Sequence, residues 1–244
     1  MKFIIQIANK HILIQSIYSG VYHTCKEYLV DEKTKPDFEL SISEEMIAEE
    51  CERIKQHEGQ APSLKLVENL LVHRLIAEYF LDHNAVLMHG AVIAFNQRAY
   101  MFTGKSGTGK TTHIKKWLKN SNDVYVVNGD KPLILIEKGK VFACGMPWCG
   151  KEALGRKAVV PLQSIVFMRR SDVNKIEPVS YKNIFPFLLE QTYRPKDAEM
   201  MKKTLRLLMH LKDNVSFYVF HFNNFLDDAF TVPYEVLTNE EMRQ

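Results

Sequence analysis

Short runs in which apolar and polar residues alternate, separated by turn residues, predict β-strands along much of the chain. In the first part, residues 3–7 and 11–17 predict a hairpin, and residues 38–42 predict a third strand. Further along, the same pattern predicts a hairpin over 86–95 and 98–103, a strand over 124–127, a hairpin over 132–137 and 140–144, and strands over 162–168 and 215–222. Because the arms of a hairpin are antiparallel, the pattern indicates a mixed sheet with much antiparallel pairing.

Helices are predicted between these strands. Apolar residues at helical spacing after Ser63 predict a helix, with Leu64, Val67, Leu70, Leu71, Ile76 and Phe80 on its buried face. The acidic run 44–52 predicts a helix with a solvated face, preceded by a capping box at Ser41 and Glu44. Later helices are predicted over 112–119, 181–191 and 196–211, with a short closing helix within 223–230 and a polar tail.

These elements predict an α/β fold with a mixed, largely antiparallel sheet and a small N-terminal α+β lobe. The lobe covers 1–85 and contains a hairpin and two helices, and a second domain covers 86–244.

Composition excludes some classes of function. A net charge of +3 is too weak to indicate a nucleic-acid partner. The four cysteines lack metal-binding spacing, which favours reduced thiols in a cytoplasmic protein. Polar residues interrupt the first apolar run too early for a signal peptide or a membrane span, so we expect no membrane partner.

The strand over 98–103 leads into a run that fits G-x-x-x-x-G-K-[ST], the phosphate-binding pattern. This glycine-rich loop consists of Gly104, Lys105, Ser106, Gly107, Thr108, Gly109, Lys110 and Thr111, and Thr112 follows it. Glycines let successive N–H groups point at an anion, and the following helix adds the positive end of its dipole. Lys110 is expected to reach the outer phosphates of a nucleotide, and Thr111 to bind Mg²⁺. A glycine turn that binds nothing is the alternative.

Asp130 directly follows the strand over 124–127. A carboxylate at this position is the expected second protein ligand of Mg²⁺, beside Thr111. The alternative is a turn aspartate, because Asn128-Gly129-Asp130 is also typical of turns.

The order of these features resembles the kinase domain of HPr kinase/phosphorylase, and the loop is similar to that of phosphoenolpyruvate carboxykinases. The resemblance covers about residues 86–170 and depends on His89-Gly90, the hairpin, the loop, its helix and the strand ending in Asp130. It implies a P-loop kinase-like domain over 86–244 that uses ATP and Mg²⁺, with Asp130, His89 and Lys110 as catalytic residues. It also suggests a homo-oligomer.

The chain departs from this family at one position. The family has two adjacent aspartates where this chain has Gly129 and Asp130, and the first of them is the expected general base. Either Asp130 performs both roles, or His89 substitutes as the base; a structural role for His89 is the alternative.

Other charged residues are candidates for contacts to the acceptor or to phosphate. They are Lys151, Glu152 and Arg156 in a loop after the third hairpin, and Arg169 and Arg170 at the end of the strand over 162–168. Arginine suits bidentate contacts to phosphate. A solvated loop and solubilising arginines are the alternatives.

The predicted function is an ATP-dependent phosphotransferase that phosphorylates a hydroxyl, on a serine of a protein or peptide or on a small metabolite. A nucleotide-binding regulatory protein without catalysis is the first alternative. A carboxykinase-like enzyme is the lower alternative, because no set of His, Lys and Asp for manganese precedes the loop.

Overall fold

The computed structural model describes residues 1–59 and 62–239. Contacts divide the chain into two compact units, of which the first is Met1–Phe80 and the second begins at Leu81. In the described residues, no helix is both long and apolar enough to cross a bilayer.

The first unit combines a small sheet with three helices. Its elements are β1 (Lys2–Ile7), β2 (Lys10–Gln15), α1 (Ser19–Thr24), β3 (Phe38–Ser41), α2 (Glu44–Glu58) and α3 (Leu64–Leu81), which ends at the boundary. β1 and β2 form the predicted antiparallel hairpin, and β3 pairs with β2 in parallel. The short helix α1 was not predicted.

The predictions for α2 were wrong in two details. The N-cap is Ser43, whose hydroxyl accepts a hydrogen bond from Met46 N at 3.3 Å, and not Ser41. Glu50 lies in the acidic run but is only 2% exposed. Its carboxylate accepts hydrogen bonds from Arg53 and lies 3.1 Å from a guanidinium nitrogen of Arg74. A buried carboxylate needs such partners. The run of acidic residues in the sequence does not show that one of them is buried against two arginines.

The apolar residues of α3 are divided between interior and surface. Val67, Leu71, Ile76 and Phe80 are buried as predicted, whereas the predicted core residues Leu64 and Leu70 are exposed. Glu68, also on α3, is fully buried and accepts hydrogen bonds from the backbone N–H groups of Ile17 and Tyr18 at 2.5 and 3.0 Å. This contact fastens the chain after β2 to α3.

The second unit is built on a nine-stranded sheet. Its elements are β4 (Ala85–Leu87), β5 (Ala91–Phe95), β6 (Arg98–Thr103), α4 (Lys110–Asn120), β7 (Tyr125–Asn128), β8 (Leu133–Glu137), β9 (Lys140–Cys144), β10 (Val159–Arg170), β11 (Lys175–Pro178), α5 (Tyr181–Glu190), α6 (Ala198–Leu211), β12 (Ser216–Phe222) and α7 (Thr231–Asn239). A 3-10 turn, Asp227–Ala229, precedes α7.

The sheet is mixed and mostly antiparallel. The strand order is β4-β8-β9-β10-β6-β5-β7, and β12 pairs with β10 and β11. β10 pairs in parallel with both β6 and β12, and the other pairings of this sheet are antiparallel. β5 and β6 form the predicted hairpin, so the strand that enters the glycine-rich loop has an antiparallel and a parallel neighbour.

Both faces of this sheet are covered by helices. Along β6, Ala99 and Met101 belong to one apolar cluster, and Tyr100 and Phe102 to the other. The first cluster includes residues of α5 and α6, and the second includes residues of α4 and α7. Successive side chains of a strand point to opposite faces, so a central strand buried on both sides is apolar throughout.

Three predictions for this unit were wrong in detail. The strand predicted over 86–95 is two strands, because β4 pairs with β8 whereas β5 pairs with β6 and β7. β11 was not predicted. The tail was predicted as polar, but residues 231–239 form α7, whose Pro233 lies in the first turn, where proline is compatible with a helix.

Candidate functional site

The glycine-rich loop connects β6 to α4 through three glycines with positive φ. The φ angles are 143° at Gly104, 77° at Gly107 and 100° at Gly109, which non-glycine residues rarely adopt. A Cβ at Gly104 would lie 2.7 Å from Met168 O on β10, and a Cβ at Gly109 would lie 2.7 Å from Phe222 Cε1 on β12. Both ends of the loop are therefore packed against strands, whereas a Cβ at Gly107 would meet nothing within 4 Å.

Lys110 is the first residue of α4 and is 9% exposed. Its ammonium group donates hydrogen bonds to Gly104 O at 2.8 Å and Lys105 O at 3.2 Å, so it lies inside the curve of the loop. Burial lowers the pKa of Lys110, and the nearby Asp130 carboxylate opposes that shift. The first N–H groups of a helix have no intrahelical partner, so the loop and the start of α4 together form a site suited to an anion.

A cleft of about 1120 Å³ opens over this loop. The loop and α4 form its floor, at residues 106–112 and Ile114. One wall, which we call the acidic wall, consists of His89, Gly129, Asp130, residues 149–152 and Leu154. The other, which we call the C-terminal wall, consists of residues 170–172 and 222–225.

Asp130 is held at the end of β7 by its neighbour Asn128. Asn128 is fully buried, and its Oδ1 accepts hydrogen bonds from the backbone N–H groups of Asp130 at 2.9 Å and Lys131 at 2.7 Å. Its Nδ2 donates to Met146 O and Trp148 O at 3.1 and 3.3 Å. Asn128 thus fixes the turn that presents the Asp130 carboxylate to the cleft. This role of Asn128 was not predicted, although asparagine at the start of a turn is its sequence signal.

His89 lies beside Asp130. Its Nδ1 is 2.9 Å from Gln191 Oε1, and its Nε2 is 3.5 Å from Asp130 Oδ1. Burial lowers the pKa of His89 and the charge of Lys110 lowers it further, while the contacts with Gln191 and Asp130 oppose the shift. The imidazole is therefore neutral at pH 7. The two contacts suit different tautomers, because Nδ1–H would donate to the Gln191 oxygen whereas Nε2–H would donate to the Asp130 carboxylate.

The position of the absent first acid has no space for a side chain. A Cβ at Gly129 would lie 2.9 Å from the carbonyl oxygens of both Cys149 and Leu154. The loop over residues 145–156 thus closes against the backbone of Gly129.

The predicted acceptor-side residues lie in different places. Lys151 and Glu152 line the cleft, and Glu152 forms an exposed ion pair with Lys115 at 2.9 Å. Arg156 lies outside the cleft, with its guanidinium carbon 4.3 Å from the centre of the Tyr125 ring.

The two arginines at the end of β10 diverge. Arg170 lines the cleft and donates to Gly107 O at 2.5 Å. Arg169 lies over the Phe187 ring at 4.9 Å and lines a second cavity of about 680 Å³, which shares residues 106–108 and Arg170 with the cleft. Gln191 also lines that second cavity.

Comparisons with known proteins give a remote likeness in structure only. No protein-family model matches the chain, and no curated protein matches it in sequence. Among solved structures, it is similar to the Hpr(Ser) kinase/phosphatase from Coxiella burnetii, with a TM-score of 0.39 and 9% identity over 64% of this chain and 91% of that chain. The chain is thus a mixed α/β protein with a remote likeness to an HPr kinase/phosphatase.

Proposed function

We propose that this protein is a phosphotransferase that uses ATP and Mg²⁺ to phosphorylate a hydroxyl group. The acceptor is a serine of a protein or peptide, or a small hydroxylated metabolite. One observation carries the proposal: the Lys110 ammonium, the start of α4 and the Asp130 carboxylate meet in one cleft. We assign the activity to a domain over 86–244, and the N-terminal lobe over 1–85 is assigned no role in it.

Residues 104–112 are proposed to bind the β- and γ-phosphates through backbone N–H groups and Lys110. The described residues hold no group of three His, Cys, Asp or Glu side chains that could bind a metal by themselves. Mg²⁺ fits this arrangement, since it is commonly held by one carboxylate, a hydroxyl and the phosphates of the nucleotide. Thr111 and Asp130 are the proposed protein ligands, and the metal would neutralise charge on the phosphates.

The proton of the acceptor hydroxyl needs a base. Asp130 is the proposed base because it is the acid that Asn128 holds toward the cleft. His89 Nε2 lies on the same wall and is neutral, so it is the second candidate for accepting that proton. Lys110 is proposed to stabilise the negative charge of the phosphoryl group during transfer.

A regulatory protein that binds a nucleotide without catalysis is the second candidate function. The observation that favours it is the crowding at Gly129, where a first aspartate has no space. The turn at the end of β7 therefore carries one carboxylate, Asp130, where the family resemblance implies two adjacent ones. No feature of the site favours a carboxykinase-like reaction.

Calorimetry with ATP, with and without Mg²⁺, tests the nucleotide site. We expect Lys110→Ala to abolish binding and Lys119→Ala, an exposed lysine on the same helix, to leave it unchanged. We expect Asp130→Asn to remove the dependence on Mg²⁺, with the exposed Asp123→Asn as its control. If the wild-type protein binds no nucleotide, the proposal is wrong.

A second experiment separates the kinase from the regulatory protein. Wild-type protein is incubated with γ-labelled ATP, Mg²⁺ and a library of serine peptides and hydroxylated metabolites. Transfer that Asp130→Asn abolishes supports the kinase. Binding of Mg-ATP with no transfer to any acceptor supports the regulatory protein instead.

A further inference from the structure

The C-terminal wall of the cleft contains an aromatic ring that the proposed chemistry does not use. Phe225 lines the cleft and is 93% exposed. A phenyl ring that remains in water does not gain the favourable free energy that burial of its apolar surface would provide. Its position at the mouth of a cleft therefore points to a ligand that covers it.

Hydrogen bonds hold this wall in a fixed shape. Asn223 N donates to Asn174 Oδ1 at 2.7 Å, and Asn174 Nδ2 donates to Asn223 O at 3.1 Å. Asn223 Nδ2 also donates to Asp172 O at 3.2 Å, and its Oδ1 accepts from Phe225 N at 3.0 Å. The turn after β10 and the turn after β12 are thus joined, and Phe225 is held beside Asp172.

The C-terminal wall is also joined to the phosphate-binding floor. The Phe222 ring packs on Gly109 at the start of α4, and Arg170 donates to Gly107 O at the tip of the loop. Asp130 and His89 belong to the acidic wall. A nucleotide whose terminal phosphate lies near Asp130 would extend its nucleoside away from that wall, toward residues 222–225.

We propose that the C-terminal wall is the nucleoside subsite, in which the base stacks on Phe225 and the ribose hydroxyls face Asp172. The proposal rests on the proposed nucleotide site, and it assigns the residues that bind the base and the sugar of that nucleotide. Every base presents a flat π face to an aromatic ring, so stacking on Phe225 favours ATP and GTP alike. The Asp172 carboxylate is exposed at the cleft, where it can accept hydrogen bonds from the ribose.

A polar atom in the same wall supports this assignment. Asn224 lines the cleft, and its Oδ1 is buried without a hydrogen-bond partner within the described part of the chain. A buried oxygen without a partner costs free energy, which a donor on the base would recover only after the Asn224 side chain turns its oxygen into the cleft.

The test compares Mg-ATP with Mg-tripolyphosphate by calorimetry, because tripolyphosphate has the phosphates of ATP without base or sugar. We expect Phe225→Ala to weaken ATP and GTP by roughly 5- to 100-fold, the range for loss of one stacked base, and to leave tripolyphosphate unchanged. Unchanged tripolyphosphate binding also shows that the variant is folded. Phe187→Ala is the matched control, because Phe187 is 38% exposed and lines the second cavity but not the cleft.

The other outcomes are distinct. If Phe187→Ala weakens ATP and Phe225→Ala does not, the base lies in the second cavity and the proposal is overturned. If both variants bind ATP as the wild type does, Phe225 holds no base and the proposal also fails. If the wild-type protein binds neither ATP nor tripolyphosphate, the nucleotide site itself is wrong.

Discussion

Gly129 shows at the scale of one residue how packing limits the chemistry of the cleft. Two carbonyl oxygens, of Cys149 and Leu154, occupy the space that a side chain at this position would need. The sequence shows glycine at position 129 in place of an acid. The packing of the 145–156 loop explains why no side chain is present there. The absence of an acid at position 129, directly before Asp130, is therefore built into the backbone geometry.

Gly129→Asp is expected to lower stability and not to create a second acid at the site. Overpacking of this kind costs about 1–3 kcal/mol. Urea unfolding measures the loss. Gly20→Ala is the control, because its new Cβ would have its nearest neighbour at 3.8 Å and alanine is favoured in α1, so no loss of stability is expected. An aspartate variant as stable as the wild type would show that the 145–156 loop can move aside.

The cysteines are expected to differ in reactivity. Burial raises the pKa of Cys25 and of Cys144 to about 12, so these thiols remain protonated and inaccessible. Cys149 lines the cleft and Cys51 is partly exposed. Mass spectrometry after alkylation of the native protein should find label on Cys51 and Cys149 before Cys25 and Cys144, and Mg-ATP should protect Cys149 alone. Equal labelling of all four would contradict the burial.

At this scale, residues close together in the sequence predicted a site at the glycine-rich loop, Lys110, Thr111 and Asp130. The structure brings these residues to one cleft, and their roles stay predictions. Asn128 and Gln191 were missed as site residues, since their roles depend on partners brought together by folding. Gln191 is 102 residues from His89 along the chain. Arg156 was predicted near the acceptor but lies over the Tyr125 ring, because the charge of a loop residue does not indicate where its side chain points.

The helix α4 joins the site to the core at the scale of one element. His113 is fully buried on α4, and its Nε2 accepts a hydrogen bond from Trp117 Nε1 at 2.9 Å. Its ring packs against Phe102, Phe220 and Phe222. Burial lowers the pKa of His113 to about 3, with a smaller effect from Lys116.

This shift predicts that the protein becomes less stable in acid. Below pH 6.5 the unfolded chain binds a proton at His113 that the folded protein does not bind until about pH 3. Because of this difference in proton binding, the free energy of unfolding falls by about 2 kcal/mol between pH 7 and pH 5. Urea unfolding at the two pH values should show a smaller difference for His113→Gln, which keeps an acceptor for Trp117, and no reduction for the exposed His210→Gln. An unchanged pH dependence in His113→Gln would contradict the prediction.

Elements with strong patterns were predicted well, and those shaped by tertiary pairing were not. The hairpin of β5 and β6 follows from its turn at Asn96 and Gln97, both with positive φ. The separation of β4 from β5 depends on their different partner strands, which the run over 86–95 does not specify, although His89-Gly90 interrupts its apolar residues. The helix α7 was missed because the closing helix was predicted within 223–230 and the residues after it were taken as a polar tail.

For the whole molecule, binding of Mg-ATP is expected to raise the melting temperature. A ligand at 100 times its Kd stabilises the folded state by about 2.7 kcal/mol. For a protein of this size, that stabilisation raises the melting temperature by about 5–10 °C. Differential scanning fluorimetry should show the shift in the wild type and in Lys119→Ala, and none in Lys110→Ala. A shift that survives in Lys110→Ala would place the nucleotide elsewhere.

The mixed, largely antiparallel sheet was predicted from the hairpins alone, because each hairpin fixes its own pairing. The long-range parallel pairings of β10 with β6 and β12 could not be predicted, since they join segments far apart in the chain. Assembly into homo-oligomers and the division at residue 85 stay predictions.

The packing of Phe222 against Gly109 has a consequence for biosynthesis. Residues 104–112, at the floor of the cleft, are synthesised early. The strand β12, which packs against Gly109 through Phe222, ends at that residue. A nascent chain on the ribosome therefore carries the glycine-rich loop for more than a hundred residues of elongation before the loop is held in place. Competence to bind a nucleotide would be acquired only after translation has passed Phe222 and that segment has left the exit tunnel.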